Sequence, residues 1–211
     1  MIAMEWSADT KRRPGRPLSF DRHKALRAAM LAFWRHGYET TSVSDLTAAM
    51  GLAAPSLYAA FGDKERLFLE AVRLYAGDPD DLARDLAAAP TAREGARHML
   101  LGAAEAFTGE TTPRGCLLAS SAASGSEKAA RVQAAIAAIR RDVIAALEAR
   151  IAGDVDRGIL PRDADPAALA TLTVAVIQGL SVLARDGVDR AVLVAVGEAA
   201  MDGWPEGAMG E

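Results

Sequence analysis

One cysteine in 211 residues, and an aromatic content of only 5%, set the first limits on this chain. The single thiol, Cys116, rules out an internal disulfide framework and fits a reducing cytoplasm, the expected location. No apolar run is read as reaching membrane-spanning length, so no membrane partner is expected. The first ten residues contain Glu5 and Asp9 and no long apolar core, so no secretory signal is read there. β-Branched runs are few and short, and no alternating strand pattern stands out. The sequence also lacks the signatures of a P-loop, a dinucleotide fingerprint, a nucleophile elbow and a zinc-protease helix. An enzyme would therefore have to rest on an arbitrary pairing such as Cys116 with His98. No cofactor and no metal site is expected: Cys116, His98 and the methionines have no ligand-type spacing.

What is present is apolar, alanine-rich and helical in period, with 51% hydrophobic residues. The fold class expected is all-α. The formal charge of −4 hides an asymmetry. Residues 11–75 carry 11 Lys/Arg against 6 Asp/Glu, whereas residues 76–211 carry 13 against 20. A basic N-terminal third on an acidic remainder suits a nucleic-acid head joined to a body with another task.

Residues 41–68 carry the strongest local signal. Ser42 can cap a short helix, with Asp45 three residues on completing a capping box. Val43, Leu46 and Met50 share one face of that helix, and Gly51 can end it in a left-handed conformation. A second segment, about 55–61, places Leu57 and Phe61 four apart, so one side is anchored and the other is free. Asp63 can cap a further helix whose apolar face starts at Leu67 and Phe68. A short helix anchored on one side and offered at the surface is how a helix-turn-helix enters a major groove. An αα-hairpin within an ordinary bundle has the same local pattern. The flanks favour the reader, because KRRPGRP at 11–17 interleaves Lys11, Arg12, Arg13 and Arg16 with helix-breaking residues. Such an arm suits phosphates or a minor groove. Upstream of the reader, a helix over about 20–36 has a buried stripe of Leu26, Met30, Phe33 and Trp34.

Phe33, Gly37, Tyr38, Thr41, Gly51, Leu57, Tyr58, Phe61, Lys64 and Leu67, in this register, resemble the N-terminal signature of TetR-family transcriptional regulators. The match spans roughly residues 19–70. The blocks GRPLSFDRHKAL, FWRHGYETTS, PSLYAAFGDKERLF and IQGLSVLARDG also resemble a subgroup that includes a copper-responsive repressor of enteric bacteria. The resemblance implies a flexible arm over 1–17, a helix-turn-helix domain over 18–66, and a helical ligand-binding and dimerisation domain over 67–211. It implies a homodimeric repressor that leaves a palindromic double-stranded operator when a small-molecule effector binds. The positions it assigns to DNA contact are Arg16, Thr41, Ala54, Pro55, Ser56, Tyr58 and Lys64. Thr41 is expected to offer a hydroxyl to a phosphate, Lys64 to clamp one, and Ser56 and Tyr58 to face the duplex. Two departures stand out. Ala53 and Ala54 occupy places where many relatives carry a serine and a basic residue, and many carry an aromatic or histidine at one of the places held by Ala59 and Ala60. Loss of a capping serine costs a helix about 0.5–2 kcal/mol, offset in part by Pro55 in the first turn.

Beyond Tyr75, helices are expected over about 80–88, 91–108, a short run from Cys116, 126–152, 166–187 and 189–202. The helix at 166–187 is apolar nearly all round, which demands cover on several sides. Leu172, Val176, Gly179, Leu180 and Leu183, with Ala195 and Ala199 on the last helix, are the expected dimer contacts. His98, Met99, Phe107, Cys116, Gln178 and Ser181 are the candidate pocket residues. Gln178 is the sharpest of these, since a buried amide needs partners. Cys116 fits either a small buried hydrophobe or a sensor of oxidants, electrophiles or a soft metal. A structural DNA-binding dimer without an effector is the alternative, and its DNA affinity would never respond to a ligand.

Overall fold

The computed structural model describes residues 20–121 and 129–205. The expected basic arm, with Arg16, lies outside the described residues. Ten helices are described: α1 (Arg22–His36), α2 (Val43–Met50), α3 (Ala54–Phe61), α4 (Lys64–Ala76), α5 (Pro79–Ala88), α6 (Ala92–Phe107), α7 (Leu117–Ser121), α8 (Ala130–Asp156), α9 (Pro166–Arg185) and α10 (Arg190–Ala200), followed by a single 3-10 turn at Met201–Gly203. No strand occurs among the described residues. The all-α expectation holds.

Local chemistry explains the boundaries in the first third. Asp21 caps α1 by accepting from the Lys24 amide at 3.0 Å, and Asp63 caps α4 through the Arg66 amide at 2.8 Å. Ser42 and Asp45 form the reciprocal capping box on α2. Phe33 is fully buried at the centre of this head. Its ring meets Phe68 edge-on at 5.0 Å, and Tyr38 packs on Phe68 at 4.9 Å. Burying a side chain of this size contributes about 1.5–3 kcal/mol, so α1 and α4 are locked face to face.

α4 crosses residue 66 without a break, so the expected boundary between 66 and 67 falls within a helix that both parts share. In the body, α9 lies between α6, α8 and α10. α8 runs on to Asp156, beyond the expected end at residue 152. Gly153 stays helical, and Gly158, at φ +71°, turns the chain instead. Asp154 explains the extension. Its carboxylate is fully buried, accepting from Arg150 at 2.7 Å, from Arg157 at 2.5 Å and from the first amide of α6 at Ala92, 2.6 Å. Arg150 also donates to the carbonyls of Leu86 and Ala89, so one ionic cluster staples α5, α6 and α8.

By length and composition, α9 could cross a bilayer, which corrects the expectation that no run reaches that length. It is instead a central helix, with Leu169, Ala170, Val174, Leu180, Ser181 and Ala184 buried inside the protein.

Candidate nucleic-acid interface and effector body

The α2–α3 turn is built from backbone chemistry. Gly51 adopts φ 65°, ψ 35°, and its amide reaches back to the carbonyls of Thr47 and Ala48. The Leu52 amide N–H also donates to the Thr47 carbonyl at 3.0 Å, closing α2 and throwing α3 across it. Leu57 and Phe61 anchor α3 in the core. On its opposite side Pro55, Tyr58 and Ala59 are exposed, while Ala54 and Ser56 are half-buried. Tyr58 stands 49% exposed, in contrast with the buried Leu57 beside it. No side chain caps α3: Ala53 occupies the N-cap without a side-chain bond, and Pro55 lies in the first turn.

Thr41 corrects one expectation. It is fully buried, and its hydroxyl donates to the Gly37 carbonyl at 2.6 Å. That carbonyl is left over where α1 ends, so the hydroxyl closes the α1–α2 corner and is not offered outward. The exposed polar groups nearby are Thr40, Ser42 and Ser44. Arg35, His36, Thr40 and Asp45 line a shallow open concavity at this corner, and Thr40 donates to the His36 carbonyl. Arg35 and Thr40 were not singled out from the sequence. Their signal was an arginine in the last turn of α1 and a hydroxyl just before the cap of α2.

Lys64 opens α4, half-buried, 4.7 Å above the Tyr38 ring, and donates to the Glu39 carbonyl at 3.2 Å. Burial holds its ammonium below the ordinary lysine range, opposed by the charges of Glu39 and Asp45. An ammonium has three donors, so the bond to Glu39 fixes its place and leaves others for an outside acceptor.

In the body, the pocket candidates separate. His98 is exposed on α6, Met99 and Gln178 are half-buried, and Phe107 is buried in the core. Cys116 and Ser181 do converge: the Ser181 hydroxyl accepts from the Cys116 amide at 2.8 Å. Both are buried. The residue that completes the group, Tyr75 at the end of α4, was not foreseen; its hydroxyl donates to Cys116 Sγ at 3.4 Å. Burial, then the neighbouring Cys116, pushes the Tyr75 phenol far up, so it stays protonated and remains a donor. Among the described residues, no three His, Cys, Asp or Glu side chains gather as a metal site.

Six large hydrophobic side chains are exposed among the described residues: Tyr58, Leu172, Val182, Leu183, Val192 and Val196. Five of them lie on α9 and α10. Gly179 is exposed within the α9 stripe, and a β-carbon there would meet nothing within 4 Å. Ala195 and Ala199 are exposed on α10. Val176 is half-buried on α9, and Leu180 is a further correction: it is only 1% exposed, turned into the body away from the stripe. α10 is itself fixed by Leu193 and by Gly197, which lets α6 approach at Leu100 and Leu101.

Comparison with known proteins identifies the family. The pattern of the bacterial regulatory proteins of the tetR family matches residues 25–71, and that of the tetracyclin repressor-like C-terminal domain matches residues 96–196. The HTH-type transcriptional repressor ComR of Escherichia coli K12 is 32% identical over 210 residues, 97% of this chain and 99% of that protein. The solved structure of a cysteine mutant of the TetR family transcriptional regulator CifR, complexed with 26-bp double-strand operator DNA, is 42% identical. It superimposes with a TM-score of 0.85 over 90% of this chain and 100% of its own. A TetR regulator structure from Rhodococcus sp. RHA1 is 37% identical, with a TM-score of 0.60 over 88% of this chain and 100% of its own.

Proposed function

The chain belongs to the TetR family of bacterial regulatory proteins, DNA-binding transcriptional regulators rather than enzymes, and on that premise we propose that it is a cytoplasmic homodimeric repressor released from a palindromic operator by a small-molecule effector. One observation supports the reading most: among the described residues, the exposed large apolar side chains are confined to two places, the outward face of α3 and the α9–α10 stripe. The first suits a major groove, where apolar contact with thymine methyls adds to hydrogen bonding. The second suits a second copy of the chain, since a two-fold interface uses the same patch twice. Two heads so paired, ~34–36 Å apart, would engage successive turns of one face of the duplex.

Ala54, Pro55, Ser56 and Tyr58 form the reading surface, and Lys64 with the α1–α2 corner holds phosphates. Arg16 in the basic arm would add a contact outside the helix-turn-helix. Few polar tips on α3 shift the burden of selectivity to apolar contacts and DNA shape. ComR is a transcriptional repressor and the CifR mutant is complexed with operator DNA, and this chain's reader is proposed to act alike. Effector binding in the body, near Cys116, Ser181 and Tyr75, would act on α4, because Tyr75 is on that helix. It shifts the DNA-bound population only through unequal affinity for the two states.

The test is a gel shift on DNA flanking the protein's own gene, at stated salt, with candidate effectors. Tyr58→Ala and Lys64→Ala should weaken a specific shift while leaving the dimer intact. A compound that abolishes the wild-type shift would identify the effector class. Operator affinity equal to wild type in both variants would overturn the contact assignment, and an absent specific shift across a genomic library would overturn the reader.

A further inference from the structure

α3 is eight residues long, lacks a side-chain cap, and has only Leu57 and Phe61 buried. Something must fix its pitch against α1 and α4 if it is to enter a groove in one register. A single guanidinium touches all three elements. Arg22, in the first turn of α1, pairs with Glu70 on α4 through Nη2 at 2.7 and 2.9 Å. The same nitrogen lies 3.3 Å from the Ala60 carbonyl in the last turn of α3. The guanidinium carbon lies over the Phe61 ring, 4.4 Å from its centroid. The last four carbonyls of a helix have no partner within it, so Arg22 satisfies one and places its charge over the ring that anchors the same turn.

We propose that the Arg22–Glu70 pair is the positioning element of the recognition helix, fixing α3 to α4 so that the orientation of α4 sets how α3 enters the groove. The proposal builds on the reading of α3 as the DNA reader. Neither side chain is placed to read a base. Arg22 is spent on Ala60, Phe61 and Glu70, and Glu70 is an anion that repels phosphate. All three polar contacts are made by Nη2, so what lysine would lose is the flat guanidinium that donates to Glu70 at one end while its carbon lies over the Phe61 ring.

Charge and positioning make opposite forecasts for Glu70→Gln. Removing a negative charge from a DNA-binding head should, by electrostatics alone, tighten binding to any duplex. Loss of positioning should weaken the specific complex. The experiment measures dissociation constants of the full-length Glu70→Gln, Arg22→Lys and double variants for operator and scrambled duplexes across a salt series, beside thermal unfolding. With positioning, each single variant loses about tenfold in operator affinity, the scale of one charge-assisted hydrogen bond. The scrambled duplex is bound as tightly as before or more tightly, and the double variant loses no more than the worse single. Operator affinity that is unchanged or raised in Glu70→Gln overturns the proposal, as does additive loss in the double variant. A parallel fall on both duplexes in Arg22→Lys overturns it too, making Arg22 a phosphate contact. A failed shift by the wild-type protein on every duplex would instead count against the reader itself.

Discussion

Val182→Asp tests the proposed dimer where the structure gives a magnitude. Val182 is 56% exposed on α9, at the C-terminal end of the stripe that begins at Leu172. Burying a valine completely contributes about 1.5–3 kcal/mol, so covering its exposed half against a partner contributes roughly 1 kcal/mol or a little more. Two-fold symmetry counts that twice, to roughly 2–3 kcal/mol per dimer, or about a hundredfold in the dissociation constant. The substitution also places two carboxylates in an apolar seam without partners, which costs several kcal/mol more per ion. The combined effect should make the variant monomeric at micromolar concentration. Because Val182 is largely outside the protomer's own core, helix content and the buried staple around Asp154 should survive. Sedimentation velocity of wild type and variant reads the mass, circular dichroism reads the helices, and a gel shift reads the consequence for operator binding. A folded variant that still sediments as a dimer at micromolar concentration would refute the argument that this stripe is the interface. A monomeric variant that keeps full operator affinity would refute the need for two heads.

Ala53→Ser should supply the missing cap of α3 by offering an acceptor to the Ser56 amide, stabilising the protein by about 0.5–2 kcal/mol, seen as a rise in thermal midpoint. Asp154→Ala should destabilise by about 3–5 kcal/mol, because it strands the Arg150 guanidinium, 14% exposed, beside an empty carboxylate site; a denaturant midpoint near wild type would count against the staple. Hydrogen bonds from the Ser42 hydroxyl and amide hold the Asp45 carboxyl below its ordinary range. A depressed carboxylate contributes stability above its unfolded pKa and loses it as pH falls through the folded value. Amide-exchange protection at the start of α2 should therefore drop on acidification, and Asp45→Asn should flatten that dependence. Cys116→Ser should keep operator affinity, since a hydroxyl can accept from Tyr75 as the thiol does; loss of DNA binding in a gel shift would make the sulfur structural.

Most of the head was legible because its determinants are local. The Ser42–Asp45 box, Gly51 in its left-handed turn, the Asp63 cap and the four-residue spacing of Leu57 and Phe61 each act within one or two turns of chain. Thr41 was misread because its partner is a carbonyl freed by the end of α1, which depends on how the corner folds. On α9, a helix apolar on every side gives no phase, so buried Leu180 could not be told from exposed Leu183, only about 60° round the helix. The body misled for the same reason. The end of α8 is set by Asp154 reaching a different helix, and Cys116, Ser181 and Tyr75 come from three distant segments. The Arg22–Glu70 pair joins residues 48 positions apart, and nothing in either neighbourhood marks it.

How an effector could move the head is constrained by the joint between head and body. Trp34 at the end of α1 donates its indole N–H to the Gly115 carbonyl at 3.0 Å and meets Tyr75 edge-on at 4.8 Å. Arg185, closing α9, donates to the Trp34 carbonyl at 2.5 Å. Gly115 has φ +78°, and a β-carbon there would lie 2.7 Å from both Arg185 Cγ and the Ser181 carbonyl, so the loop is pressed against α9. Opening this joint would give up a neutral hydrogen bond worth about 0.5–1.5 kcal/mol and a charged one worth about 1.5–3 kcal/mol. It would also separate an aromatic pair worth about 0.5–1.5 kcal/mol. Their sum, roughly 2.5–6 kcal/mol, mostly exceeds the ~1–3 kcal/mol typical of coupling between two sites. On the proposed mechanism, then, the effector does not detach the head. The inexpensive motion keeps Trp34, Gly115 and Arg185 together as a pivot and tilts α4 about it, carrying Glu70, Arg22 and α3 along. Cross-linking positions 34 and 185 after substitution with cysteine would leave such a tilt possible. Loss of effector response in the cross-linked protein, with operator binding retained, would show that the joint opens after all.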